Sequence, residues 1–291
     1  MRVAARRESL AVHLAAHLLV AHDCGVVTLA DVRIARFSSD GGEPRFGVIG
    51  EAEGESVVAV LTGDPLYVGV ELTGERHQLG DVRLLAPVIP RSKVVGIGRN
   101  YAAHASELGN DVPDQPLIFL KPNTSVIGPG DQIVRPAATD DLQYEGELAV
   151  VIGRICKDVD VARVPDVILG YTVANDVTAR DLQRLDATWA RGKGYDTFCP
   201  VGPWIETDLD IGDLRITTSL GDEVKQDSRT SLLLFDVPTL VSYVSSVMTL
   251  LPGDLILTGT PAGVGPMLPG EQVTVTVEGI GSLTNPVVER D

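Results

Sequence analysis

Between Tyr144 and Gly153 the chain reads Tyr144-Glu145-Gly146-Glu147-Leu148-Ala149-Val150-Val151-Ile152-Gly153, and a second apolar run, Ile168–Asn175, leads into Asp176. Side chains of a strand alternate in direction, so Glu145 and Glu147 share one face while Leu148, Val150 and Ile152 take the other. Asp176 then arrives from a strand long enough to pair beside the first. Three carboxylates drawn to one spot repel each other unless a cation lies between them, and hard oxygen ligands select Mg²⁺, Mn²⁺ or Ca²⁺. The same spacing also suits the wet face of an edge strand, because Glu-x-Glu is common.

The rest of the chain limits what can surround such a cluster. Its 291 residues suit one large domain, or a main domain with a small appendage. Thirty glycines and 18 prolines beside few aromatics predict short strands and many turns rather than a helical bundle. A formal charge of −16 argues against nucleic acid or an anionic membrane surface as partner. Cys24, Cys156 and Cys199 are scattered, with no C-x-x-C spacing, as expected of reduced thiols in a cytoplasmic protein. No apolar run is long enough to span a bilayer.

Residues 1–31 stand apart as an N-terminal extension. Arg2, Arg6 and Arg7 precede an apolar stretch interrupted by His13 and His17, which admits a leader segment, a weak metal pair with Asp23 and Cys24 nearby, or a loosely packed helix. Residues 32–90 form a small β-rich module starting at Val32-Arg33-Ile34-Ala35-Arg36-Phe37, and His77 there has no partner at useful spacing and reads as surface.

The main domain, 91–291, opens with Gly96-x-Gly98, which lacks the third glycine and the βαβ context of a dinucleotide site. His104 and Glu107 are three apart, on one helix face, so the carboxylate can orient the imidazole as a base for water; a surface His–Glu pair has the same spacing. With the polar stretch 111–116 they make a candidate lid. Strand 117–120 ends on the cation Lys121. Arg180 and Gln183 share one side of a helix start at 177–183, and glycines flank Lys193, which is otherwise a solvated loop lysine. Pro129-Gly130-Asp131, Pro252-Gly253-Asp254 and Pro269-Gly270-Glu271 each precede a strand and predict a rolled, largely antiparallel sheet. A single long amphipathic helix is expected over 238–251. The turn Thr258-Gly259-Thr260-Pro261 offers amides and hydroxyls that can hold a carboxylate, or is a plain loop. No Gly-x-Ser-x-Gly occurs, so a serine hydrolase is unsupported.

Six segments occur together in order: Gly98-Arg99-Asn100-Tyr101 with His104; Phe119-Leu120-Lys121-Pro122; Tyr144-Glu145-Gly146-Glu147; 175–183; 193–203; and Thr258-Gly259-Thr260-Pro261. Over about residues 92–288 this text resembles the fumarylacetoacetate hydrolase family. The resemblance implies a mainly β (α+β) fold, a mixed β-roll, in a homodimer, with Mg²⁺ or Mn²⁺ held by Glu145, Glu147 and Asp176. It further implies His104, Glu107 and Lys193 as catalytic, and Arg99, Tyr101, Lys121, Arg180, Gln183, Gly259 and Thr260 as substrate-binding. A fourth carboxylate, which some members carry shortly before the histidine, is here Ile97. That departure sets the chain with the bacterial branch of acylpyruvases, oxaloacetate decarboxylases and isomerase/decarboxylases, and away from fumarylacetoacetate itself. The expected substrate is a 2-oxo or enol dicarboxylic acid or an acylpyruvate-type acid, and the expected reaction is hydrolysis of a C–C bond through a metal-stabilised enolate. Decarboxylation or isomerisation is the alternative, and a non-catalytic β-roll that binds a metal or metabolite is another.

Overall fold

A computed structural model describes residues 28–290. Most of the extension, with His13, His17, Asp23 and Cys24, therefore lies outside the described residues. In chain order the strands are β1 (Thr28–Ser39), β2 (Arg45–Ala52), β3 (Glu55–Leu61), β4 (Leu72–Gln78), β5 (Val82–Leu85), β6 (Val94–Gly98) and β7 (Leu117–Lys121). There follow β8 (Val126–Ile127), β9 (Ile133–Arg135), β10 (Leu142–Tyr144), β11 (Gly146–Ile152), β12 (Ile168–Asn175), β13 (Thr178–Ala179) and β14 (Cys199–Glu206). The last are β15 (Arg215–Leu220), β16 (Glu223–Arg229), β17 (Leu255–Leu257), β18 (Gly265–Pro266), β19 (Gln272–Val277) and β20 (Gly281–Glu289).

The acidic strand is central. β11 lies between β12 and β17, and all its residues are buried. Leu148, Val150 and Ile152 pack on one side with Leu240, Val241 and Val244 of the Val237–Val247 helix. Ala149 and Val151 pack on the other with Cys199, Val201, Leu255 and Leu257. A strand covered on both faces explains the continuous apolar text and removes the edge-strand alternative. The strand is also interrupted: β10 belongs to a three-stranded sheet with β13 and β18, and the chain changes sheets at Glu145.

The large sheet runs β4-β3-β2-β1-β14-β12-β11-β17-β6-β7, with β5 added to β1 and β8 to β14; a second sheet runs β16-β15-β19-β20-β9. Pairing is mostly antiparallel, with parallel contacts at β14–β8, β17–β6 and β20–β9. The N-terminal strands join the main sheet, because β1 pairs with β14 through Arg33 opposite Glu206 and Ile34 opposite Ile205. At the three Pro-Gly-acid turns the glycines are left-handed, and each acid accepts the amide three residues back: Asp131 from Gly128, Asp254 from Leu251 and Glu271 from Leu268.

Three expectations change in detail. The helix expected over 238–251 is capped by Asp236 and stops at Val247; Met248 is extended, and Leu250 exchanges backbone hydrogen bonds with Cys156. The helix expected from residue 177 begins at Arg180, because Thr178 and Ala179 pair with β10. His77 does have a partner: its Nε2 lies 2.9 Å from Glu75 Oε1, and its ring meets Phe37 edge-on. Gly96-x-Gly98 makes room for aromatic rings, since a Cβ on Gly96 would lie 2.1 Å from the Phe119 ring and one on Gly98 2.9 Å from Trp189. Among the described residues no helix is long and apolar enough to cross a membrane.

Candidate active site

Glu145, Glu147 and Asp176 are buried, and one carboxylate oxygen from each lies within 4.8 Å of the others. Sheet pairing explains the convergence. The Asp176 amide donates to the Glu145 carbonyl at 2.8 Å, and the Glu145 amide donates to Asn175 Oδ1 at 3.0 Å, so the crossing point of the two strands fixes both acids. Glu147 is held from a third side by the Gly259 amide, 2.6 Å from Oε2.

Cations surround two of the three. Lys193 Nζ donates to Glu145 Oε2 at 2.7 Å and to Asp176 Oδ2 at 2.6 Å, and Arg180 reaches Glu145 Oε1 at 2.5 Å. Burial alone would raise the Glu145 carboxyl, but Lys193 and Arg180 outweigh it and hold the group well below the usual carboxylate range. Burial likewise disfavours a charged Lys193, yet Asp176 and Glu145 keep its pKa above the ordinary value. Glu147 goes the other way. Burial, reinforced by the charges of Asp176 and Glu145, pushes its carboxyl well up. The cluster is therefore short of positive charge at Glu147, with an all-oxygen donor set, which fits a hard divalent cation.

A cavity of about 690 Å³ opens over Glu145 and Glu147, two members of the triad. His104, Glu107 and Asn110 line it from one side, Arg180, Gln183 and Lys193 from another, and Arg99, Thr260 and Trp189 also reach it. His104 Nδ1 lies 3.2 Å from Glu107 Oε2, and Glu107 Oε1 accepts from the Gly263 amide at 3.0 Å, which ties the helix Ala102–Glu107 to the glycine-rich turn. Arg180 also donates to Gln143 Oε1 and Gln183 Oε1, at 2.9 and 2.6 Å.

Three of the residues expected to bind substrate, Lys121, Tyr101 and Gly259, do not line the cavity. Lys121 is fully buried and does not line the cavity; its ammonium donates to Asp176 and to the Val177 carbonyl, so it braces a triad member from behind. Tyr101 is also buried off the cavity wall, its hydroxyl pushed above its ordinary pKa by burial and the charge of Glu147. Gly259 contributes its amide to Glu147, and Thr260 Oγ1 donates to the Gly146 carbonyl while lining the cavity.

Sequence reading assigned no role to Trp189, Gln143 and Gln226, nor to Asn100 and Phe119, which it quoted only within the segments that carry the resemblance. Gln226 has no sequence signal, lying in the polar strand β16, yet it is fully buried. Its Oε1 accepts from the Gly146 amide at 3.0 Å, and its Nε2 donates to Thr260 Oγ1 and the Pro261 carbonyl at 2.8 and 2.7 Å. Gly146 is the residue between the two glutamates. A Cβ there would lie 2.1 Å from Thr218 Oγ1.

A mainly β structure with a buried carboxylate triad that could hold a metal ion, and a histidine paired with a carboxylate on the cavity wall, is the frame of an enzyme. The chain belongs to the fumarylacetoacetate hydrolase family: residues 93–288 match the family described as fumarylacetoacetate (FAA) hydrolase C-terminal, and residues 32–87 match Rv2993c-like, N-terminal. Among solved structures it is similar to 5-carboxymethyl-2-hydroxymuconate delta-isomerase from Mycobacterium smegmatis, with 53% identity, a TM-score of 0.82, and coverage of 89% of this chain and 100% of that one. It is also similar to fumarylpyruvate hydrolase from Pseudomonas aeruginosa in complex with Mn²⁺ and pyruvate, at 33% identity and a TM-score of 0.66, covering 72% and 92%. The mitochondrial oxaloacetate decarboxylase of Dictyostelium discoideum is 43% identical over 195 residues, 65% of this chain and 89% of that protein.

Proposed function

We propose that this protein is a Mg²⁺- or Mn²⁺-dependent enzyme that hydrolyses a C–C bond in a 2-oxo acid of the acylpyruvate type. The observation that carries the reading is the His104–Glu107 pair, anchored by the Gly263 amide and lining the same cavity as Glu145 and Glu147. Glu145, Glu147 and Asp176 would hold the cation. When bound, it supplies positive charge to the carboxylate and keto oxygens of the substrate as an enolate develops.

The chain's own groups supply the rest. With Glu107 accepting the Nδ1 proton, the lone pair of His104 sits on Nε2, free to take a proton from water. The water oxygen adds to the distal carbonyl, the C–C bond breaks with its electron pair passing into the 2-oxo acid as an enolate, and the proton held by His104 returns to the enolate carbon, so that one water is consumed and a carboxylic acid and a 2-oxo acid are released. Lys193, kept protonated by Glu145 and Asp176 and lying 5.0 Å from the Phe119 ring centroid, places a fixed charge on the cavity wall beside that enolate. Gln183, steadied by Arg180, adds an amide.

Decarboxylation is the second reading, favoured by the Dictyostelium relative. It uses the same electron sink with a carboxylate on the breaking bond and needs no water. The two separate in one experiment: purified protein with Mg²⁺ is given acylpyruvates, oxaloacetate and hydroxymuconate-type dienols in ¹⁸O-labelled water, with chelator as control. Hydrolysis puts the label into the released acid and is lost in His104→Ala, whereas decarboxylation releases CO₂ and survives that substitution. No chelator-sensitive turnover of any of them sinks the reading. A homodimer belongs to the same proposal through the family resemblance, and sedimentation at micromolar concentration tests it.

A further inference from the structure

Glu107 is the acid paired with His104, yet its side chain is 33% exposed and stands at the end of a helix of six residues. A glutamate so placed has several rotamers open to it, and water can take either oxygen. What commits it is the Gly263 amide, which donates to Oε1 at 3.0 Å and leaves Oε2 for His104 Nδ1 at 3.2 Å. The direction of the peptide group before Gly263 therefore decides whether the imidazole keeps its acid.

Glycine is the freest swivel a backbone offers, so that direction has to be imposed from outside. Gly263 has a left-handed φ of 101°, and a Cβ there would lie 2.1 Å from the Lys225 carbonyl oxygen, which closes the position to any larger residue. Space thus demands the swivel but does not lock it. The lock is on the other side of the residue, where the Gly263 carbonyl accepts from the Tyr144 hydroxyl at 2.9 Å. Gly263 is half-buried, whereas Tyr144 is buried in one core with Phe198, Met267 and Val273, and its backbone pairs with Gly265 across β10 and β18. The immobile partner of this bond is the tyrosine. Tyr144 also precedes Glu145 in the chain, so a single residue joins the strand that carries the triad acids to the acid that serves the histidine.

We propose that Tyr144 is a positioning residue for the His104–Glu107 pair: by holding the Gly263 carbonyl it keeps the Gly263 amide on Glu107, and Glu107 on His104 Nδ1. The imidazole then carries its proton on Nδ1 and its lone pair on Nε2. The link to turnover rests on His104 acting as the base in the hydrolysis proposed above, and one of the readouts below needs no turnover.

Tyr144→Phe removes the hydroxyl and keeps the ring in its core. With Mg²⁺ present, histidine ¹⁵N shifts read the tautomer, and His104→Gln assigns the signal among the five histidines. The parent protein holds the His104 proton on Nδ1, and Tyr144→Phe moves a measurable share of it to Nε2. With an acylpyruvate, kcat falls about fivefold, the range of one net hydrogen bond, and KM is unchanged. In Glu107→Ala the tyrosine has nothing left to position, so adding Tyr144→Phe lowers kcat no further. Mn²⁺ affinity, read by electron paramagnetic resonance, is the same with and without the hydroxyl, which separates positioning of the pair from disturbance of Glu145. An unchanged His104 tautomer, losses that add in the double variant, or a fall in Mn²⁺ affinity that matches the fall in kcat overturns the proposal while the hydrolytic reading stands. A tautomer shift in a protein that turns over no acylpyruvate supports the positioning and removes that reading instead.

Discussion

Glu145 and Glu147 are two residues apart, yet their surroundings push their carboxyls in opposite directions. Arg180 and Lys193 face the first; Glu147 faces the charges of the other two acids. Glu145→Gln removes one hard oxygen ligand and leaves Lys193 and Arg180 short of counter-charge, so Mg²⁺ or Mn²⁺ binding and turnover are lost together; calorimetric titration that still shows metal uptake refutes the assignment. The acids were legible as strand neighbours, but Glu-x-Glu is common, and what set a metal site above a wet edge strand was the resemblance carried by six segments in order. Lys121 was not legible. A lysine at a strand end reads alike whether its ammonium faces a cavity or the back of an aspartate. Removing one partner of a fully buried pair costs roughly 3–5 kcal/mol, so Lys121→Met lowers stability toward that range, less whatever Lys193 retains for Asp176. Urea denaturation measures the loss, and a KM effect without destabilisation would return Lys121 to the cavity.

At the scale of elements, the strands and the helix at 237–247 followed from period and turn chemistry, while their ends did not. Leu250 is buried whether the chain stays helical or turns extended, so apolar periodicity cannot show where the helix stops. The break at Glu145 is equally silent in sequence, because the residues on both sides are strand-like. What secures that break is the hairpin β15–β16, whose register shifts beside Thr218 and delivers Gln226 into a closed ring of bonds with Gly146, Thr260 and Pro261. Gln226→Leu strands the Gly146 amide and the Pro261 carbonyl at about 1–3 kcal/mol apiece. The folded variant also binds Mn²⁺ more weakly, because the turn that carries the Gly259 amide loses its tether. Electron paramagnetic resonance titration of Mn²⁺ reads this directly, and unchanged Mn²⁺ affinity in a destabilised variant would limit Gln226 to packing.

For the whole molecule, the Pro-Gly-acid turns made a rolled β architecture readable, but strand neighbours over long separations were not, and the joining of β1 to β14 is one of them. Folding brings the acids together, so the stability of the metal-free protein depends on pH in a direction the triad sets. Glu147 has a folded pKa above its unfolded value near 4.5, so its contribution is complete below that value and is lost as pH rises through the folded pKa, where the native state still binds a proton the unfolded chain has released. Glu145 acts oppositely: its folded pKa is depressed, and its contribution is present above about 4.5 and lost as pH falls through the folded value. Above about pH 5 the Glu147 effect is therefore the one still changing. A divalent cation binds the native triad by displacing that proton, which stabilises the fold by RT ln(1 + [L]/Kd), with Kd tightening as pH rises. Melting curves in chelator and in Mg²⁺ between about pH 5 and about pH 8 should diverge with rising pH in the parent protein and run parallel in Glu147→Gln. A Mg²⁺ increment that is the same at every pH would mean that the cation does not compete for the Glu147 proton, and would move its seat away from this carboxylate.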